Sequence, residues 1–162
     1  MKEDGEGIRV TRREIVLFKE IDVPRDLVFR LWTDPKHLAR WWGPHNCTAP
    51  SVEIDLREGG AWRTCIRSPD GKDYWCSGRY LEILPPERLV FTFAWESEPS
   101  RPGHEMQVTI ELREKGAGTR LVFRKWELPS DKEFKLQSEG WAEALEKFAV
   151  YATAWFLKSG PI

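Results

Sequence analysis

The sequence predicts an α+β domain in which a curved antiparallel sheet of about seven strands wraps around one long C-terminal helix, with two short helices after the first strand. Three observations carry that expectation. Residues 50–96, 104–114 and 119–128 alternate apolar and polar side chains between turn sequences, the pattern of successive hairpins. Beyond Ser130 the period changes, and Trp141, Ala144, Leu145, Phe148, Ala152 and Trp155 recur at three- and four-residue steps. A sheet with one apolar face needs a cover, and this helix alone has an apolar stripe broad enough to supply it.

Taken in order, residues 1–8 are expected as a flexible N-terminus, and Arg9 to Ile21 suits a long strand. Pro24 supplies the φ favoured at a first helical position, and Leu27, Val28, Leu31 and Trp32 follow at helical spacing. Asp34 is the N-cap candidate of a second helix that begins at Pro35, carries Leu38, Trp41 and Trp42 on one side, and stops at Gly43-Pro44. Hairpin strands then run between Glu-Gly-Gly, Ser-Pro-Asp-Gly and Leu-Pro-Pro-Glu. The stretch "SEPSRPG" is too rich in proline and polar groups for regular structure, and two further strands meet at the Lys-Gly-Ala-Gly turn, residues 115–118. Ser130 and Glu133 form a capping-box pair that opens the last helix, with Glu139, Glu143, Glu146 and Lys147 expected on its solvent side. No repeat or linker divides the chain, so residues 1–162 are expected as a single domain.

Lys plus Arg number 25 against 26 Asp plus Glu, a net charge of −1 that gives no field for a phosphate backbone, so nucleic acid is not expected as a partner. No run approaches the ~20 apolar residues of a membrane span, and the start lacks a signal-peptide core. A cytoplasmic location without membrane contact follows. Cys47, Cys65 and Cys76 show no C-x-x-C spacing, which fits reduced thiols. Nine Trp and eight Phe are too much apolar area to leave in water; most must line an interior.

The stretch "RWWGPHNC", residues 40–47, concentrates the question of function. His45 and Cys47, with His37 upstream, fall short of four convergent ligands at zinc-site spacing, so neither a metal nor a cofactor is expected. Trp41 and Trp42 suit a wall shared between core and pocket. In "AWRTCIR", Trp62, Thr64 and Ile66 share the inward face, where the Thr64 hydroxyl must find a partner or hold a water or ligand atom. In "RLVFTFAW", Leu89, Phe91, Phe93 and Trp95 face the helix, whose Gly140, Ala144 and Ala152 leave volume that is a pocket if the neighbouring aromatics do not collapse into it and a solid core if they do. The expected ligand wall is Trp42, Trp62, Thr64, Phe91, Phe93, Trp141, Leu145 and Phe148, with Trp41 in reserve. The chain shows no G-x-S-x-G elbow, H-E-x-x-H, Walker A loop or dinucleotide fingerprint.

The segments "VPRDLVFRLWTDPKHLARWWGP", "EGGAWRTCIRSPDGKDY", "SGRYLEILPPERLVFTF", "TRLVFRKWEL" and "EGWAEALEKF" cover about residues 14–157. In that order they resemble the C-terminal-type domain of the activator of the 90-kDa heat-shock-protein ATPase, within the START and SRPBCC superfamily. The resemblance implies the helix-grip fold of the birch pollen allergen and a cavity between sheet and last helix for a small hydrophobic or aromatic molecule. It also admits a polyketide cyclase- or dehydratase-like enzyme, for which Glu82, Glu105, His104 and Tyr80 are the acid–base candidates, though no catalytic residue is assigned. The co-chaperone that names the family carries an additional N-terminal domain, whereas only about 14 residues precede the resemblance here, so a stress-related chaperone-partner role is only the second alternative and a heat-shock-protein partner the least favoured. Self-association into a homodimer stays open.

Overall fold

The protein is described here from a computed structural model, over residues 13–98 and 101–159; the expectation for residues 1–8 lies outside them. Strand β1 (Glu14–Ile21) leads through Pro24 into α1 (Arg25–Thr33) and α2 (Pro35–Trp41). Pro24 stands at the N-cap of α1, one position earlier than expected, because its extended ψ of 146° keeps it outside the helix while its carbonyl accepts from Leu27 and Val28. Asp34 ends α1 and caps α2, its carboxylate accepting the Lys36 amide at 2.9 Å.

Strands β2 (Thr48–Ile54), β3 (Ala61–Arg67), β4 (Asp73–Leu84), β5 (Arg88–Glu98), β6 (Arg101–Pro102), β7 (Met106–Lys115) and β8 (Gly118–Trp126) follow, and α3 (Asp131–Ser159) closes the order. Every pairing is antiparallel, in the order β1-β8-β7-β5-β4-β3-β2, with β6 attached to β5. The stretch expected to be irregular therefore holds an eighth, two-residue strand, in which Pro102 opposes Glu96. A proline without an amide proton is tolerated at such an edge. The Ser130 hydroxyl accepts the Glu133 amide at 3.1 Å, half of the capping box that opens α3.

Inward residues of the central strands form rows beneath α3: Phe91 opposes Val108, which opposes Lys125, which opposes Ile15. Leu89, Ile110 and Phe123 form the next row. Onto this face α1, α2 and α3 deliver the indoles. Trp32 lies 4.6 Å from Trp41, 6.4 Å from Trp42 and 5.7 Å from Phe148 between ring centroids, and stacks on Trp141 at 6.5 Å. Edge-to-face pairs of this kind add roughly 0.5–1.5 kcal/mol each beyond the area they bury.

One glycine is fixed by its surroundings. Gly78 of β4 lies between Trp62 and Thr92, and a Cβ there would come 1.9 Å from the Thr92 carbonyl oxygen. The bare backbone lets the Trp62 indole cross β4 and donate to that carbonyl at 3.1 Å.

Candidate functional site

Where the indole cluster ends, toward the start of α3, the sheet and the helix part and leave a cavity of about 660 Å³. Trp42, Gly43 and Pro44 from the exit of α2 form one side, with Ile66 of β3 and Tyr74 of β4. Phe93, Trp95, Glu96 and Ser97 of β5 and Met106 of β7 form the floor. Glu133, Leu136, Gln137, Gly140, Trp141 and Ala144 of α3 lie opposite, with Pro129, Gly103 and His104 at the rim. Tyr74, His104 and Leu136 are solvent-exposed, so the cavity opens to water along that edge. Its volume falls within the roughly 300–1,000 Å³ of small-molecule sites, and most of the lining is apolar.

The loop at the entrance is held by α3. Gly43 takes φ +101°, a left-handed conformation that side-chain-bearing residues avoid. Lys147, expected in solvent, turns inward and donates to the carbonyls of Gly43, Pro44 and Cys47 at 3.1, 3.0 and 3.2 Å. Its partial burial holds its pKa below the ordinary lysine value. Glu143 accepts the His45 amide at 3.1 Å, and Glu146 lies 3.2 Å from the His45 ring. His37 meets the Tyr151 hydroxyl at 2.7 Å and accepts from Trp155 at 3.3 Å. Among the described residues, His37, His45 and Cys47 do not gather into a metal-ligating group.

Of the eight expected wall residues, the cavity brings together Trp42, Phe93 and Trp141. Thr64 stands behind Trp42 and accepts its indole N–H at 3.0 Å, while the hydroxyl lies 3.1 Å from the Cys76 sulfur. Trp62 and Phe91 flank a second void too small for a ligand, about 10 Å³, bordered also by Tyr80 and Trp42. Leu145 and Phe148 are fully packed; Phe148 lies 4.7 Å from Trp41, whose indole N–H is taken by the Leu31 carbonyl at 3.1 Å. Gly140 and Ala144 border the open space, whereas Ala152 is buried in the core. The space thus sits under the first turns of α3, and the middle of the helix is sealed by Trp32, Trp41 and Phe148.

The acid–base candidates are dispersed. Glu82 is ion-paired with Arg88 at 2.8 Å, Tyr80 is buried with its hydroxyl pushed well above the ordinary range by desolvation, and Glu105 is exposed. His104 alone borders the cavity, its Nε2 donating to the Glu127 carbonyl at 2.5 Å. Cys76 opposes Thr64 in the strand register and Cys65 opposes Trp75, so the two thiols project from opposite faces of the sheet. Burial pushes the Cys76 thiol up to about 12 and raises that of Cys65, which makes both poor nucleophiles.

Sequence reasoning passed over Lys125. Its side chain is 0 % exposed, and Nζ has no hydrogen-bond partner. The amine rests on the face of Phe93, 3.4 Å from the ring centroid, and 5.5 Å from that of Trp141. Burial pushes its pKa down to about 7, a shift only partly opposed by Cys76 and Glu133. The signal was present in "TRLVFRKWEL", where Leu121, Phe123 and Lys125 occupy successive inward positions.

A sequence model of the family described as "Activator of Hsp90 ATPase homolog 1-like protein" matches residues 22–153. No curated protein matches the chain by sequence. Among solved structures, the chain is similar to protein CV1439 from Chromobacterium violaceum, with 27% identity over 87% of this chain and 97% of that one and a TM-score of 0.79. The AHSA1 protein from Silicibacter pomeroyi gives 27% identity over 91% of this chain and 99% of that one, at a TM-score of 0.77. CalU16 from Micromonospora echinospora gives 26% identity over 90% of this chain and 79% of that one, at a TM-score of 0.65. These likenesses agree with the helix-grip architecture built above, and with a family model spanning most of its length the chain belongs to the activator of Hsp90 ATPase homolog 1-like family.

Proposed function

We propose that this protein binds a small hydrophobic or aromatic molecule in the cavity between the sheet and the first half of α3. The observation that carries the reading is the cavity itself: about 660 Å³ of open space walled by Trp42, Phe93, Trp95, Met106 and Trp141 in a chain otherwise rich enough in aromatics to fill it. Burial of apolar ligand surface and contact with the indole faces drive association. The entrance stays shaped because Lys147 anchors the loop that carries Gly43 and Pro44. Three unpaired thiols among the described residues suit a reducing, cytoplasmic setting, and no described helix is long and apolar enough to cross a membrane.

Three indoles on the wall make the test direct. Naphthalene is expected to quench tryptophan fluorescence saturably. The double variant Gly140→Leu/Ala144→Phe, which adds bulk into the cavity from the helix, is expected to weaken that response at least tenfold, about 1.4 kcal/mol. A Cβ at Gly140 meets only Pro44, at an ordinary 3.5 Å, so a side chain can start from that position without a backbone clash. Non-saturable quenching, or equal affinity in the filled variant, would refute the reading.

A further inference from the structure

The geometry points to Lys125 as the polar anchor of the cavity, and we infer that the ligand is an aromatic carboxylate whose anionic oxygen is received by the Lys125 amine. The inference rests on the cavity being a binding site, as proposed above. A lysine ammonium has three donors and no acceptor, and this one has no surface exposed to bulk solvent. Nζ finds no hydrogen-bond partner, and its contacts are the faces of Phe93 and Trp141, both of which line the cavity. An aromatic face compensates a buried cation only in part, because desolvating an ion costs more than the ring returns. The depression of its pKa to about 7 reflects that shortfall.

The surroundings of the amine mark the same end of the cavity. Gln137, one helical turn before Trp141 on α3, donates to Glu133 at 2.9 Å and to the Met106 sulfur at 3.7 Å. Its carbonyl oxygen is buried without a partner. Phe93 and Trp141 both touch the amine and line the cavity, which Lys125 itself does not border; Met106, opposite Phe93 in the strand register, and Gln137 line the cavity beside them. Of the acidic residues bordering this space, Glu96 is taken by Arg63 at 2.9 Å and Glu133 by Gln137, so neither neutralises the amine at hydrogen-bond distance. A carboxylate entering along the indole wall supplies the missing acceptor after side-chain movement of Phe93 or Trp141, a kind of adjustment common on binding. The aromatic body of the same ligand occupies the apolar space.

The test compares naphthalene with 2-naphthoate by tryptophan quenching, in the wild-type protein and in Lys125→Met. The methionine keeps length and removes the charge. Expected is saturable binding of both probes by the wild type, with the affinity for 2-naphthoate falling at least tenfold in the variant while that for naphthalene changes less than threefold, the range of a charge-assisted hydrogen bond. Naphthalene binding also reports that the variant is folded; should Lys125→Met fail to fold, Lys125→Gln is read in the same way. Wild-type protein that binds naphthalene but not 2-naphthoate overturns this inference and leaves the cavity reading standing. So does a variant in which both probes keep their affinities. Failure of both probes to bind the wild type removes the cavity reading and, with it, this one.

Discussion

The amine of Lys125 has an energetic consequence that needs no ligand. Its pKa is about 7 in the folded protein against an ordinary 10.5, so between those values the unfolded chain holds a proton that the folded protein releases. Stability is therefore expected to rise with pH across that window, and the full cost of the buried lysine to be present below it. Phe93 of β5 and Trp141 of α3 face the amine, and Cys76 of β4 and Glu133 of α3 are the titratable groups that favour its charge, so the window belongs to this one neighbourhood. Lys125→Met removes the titrating group. Urea unfolding from pH 6 to pH 10 is expected to show the variant more stable at the acid end, by on the order of 3–5 kcal/mol, with the difference shrinking toward pH 10. A difference independent of pH would show that the lysine is not titrating in this window. Thr64 illustrates a second residue-scale lesson. The inward hydroxyl needed a partner, and the structure supplies the Trp42 indole from a different element, a contact that strand alternation does not encode.

At the scale of elements, the loop between α2 and β2 and the helix α3 act as a pair. Lys147 gives all three of its protons to carbonyls in that loop, and Glu143 and Glu146 meet His45 from the neighbouring turns. Helical spacing alone places Lys147 with Glu143 and Glu146 on the outer surface. The loop folds over that surface and converts it into an interface, which is why periodicity misplaced it. Lys147→Met leaves the Gly43, Pro44 and Cys47 carbonyls without their donor, and denaturant unfolding is expected to show a loss of about 1–3 kcal/mol. Because Gly43 and Pro44 border the cavity, naphthalene should also bind more weakly. Unchanged stability would mean that the loop does not depend on the lysine. The caps at Asp34 and Ser130, by contrast, were legible because the cap and its recipient amide lie within three residues of each other.

For the whole molecule, the sequence reading and the structure agree on the sheet, the short helices and the long closing helix, since binary patterning and turn chemistry are local signals. The cavity was legible in kind but not fully in place. Trp42, Phe93, Trp141, Gly140 and Ala144 all border it. Trp62, Phe91, Leu145 and Phe148 share the inward face with them, yet Trp32 and Trp41 arrive from α1 and α2 to fill the space they would have lined. Which part of a continuous apolar face stays open is decided by such long-range packing. The most direct measurement is a methyl-resolved NMR titration with naphthalene. Saturable shifts at Met106, Leu136 and Ala144, with Leu121 and Ala152 unmoved, are the predicted result. Shifts centred on Leu121 and Ala152, or none that saturate, would contradict a binding site beneath the first turns of α3.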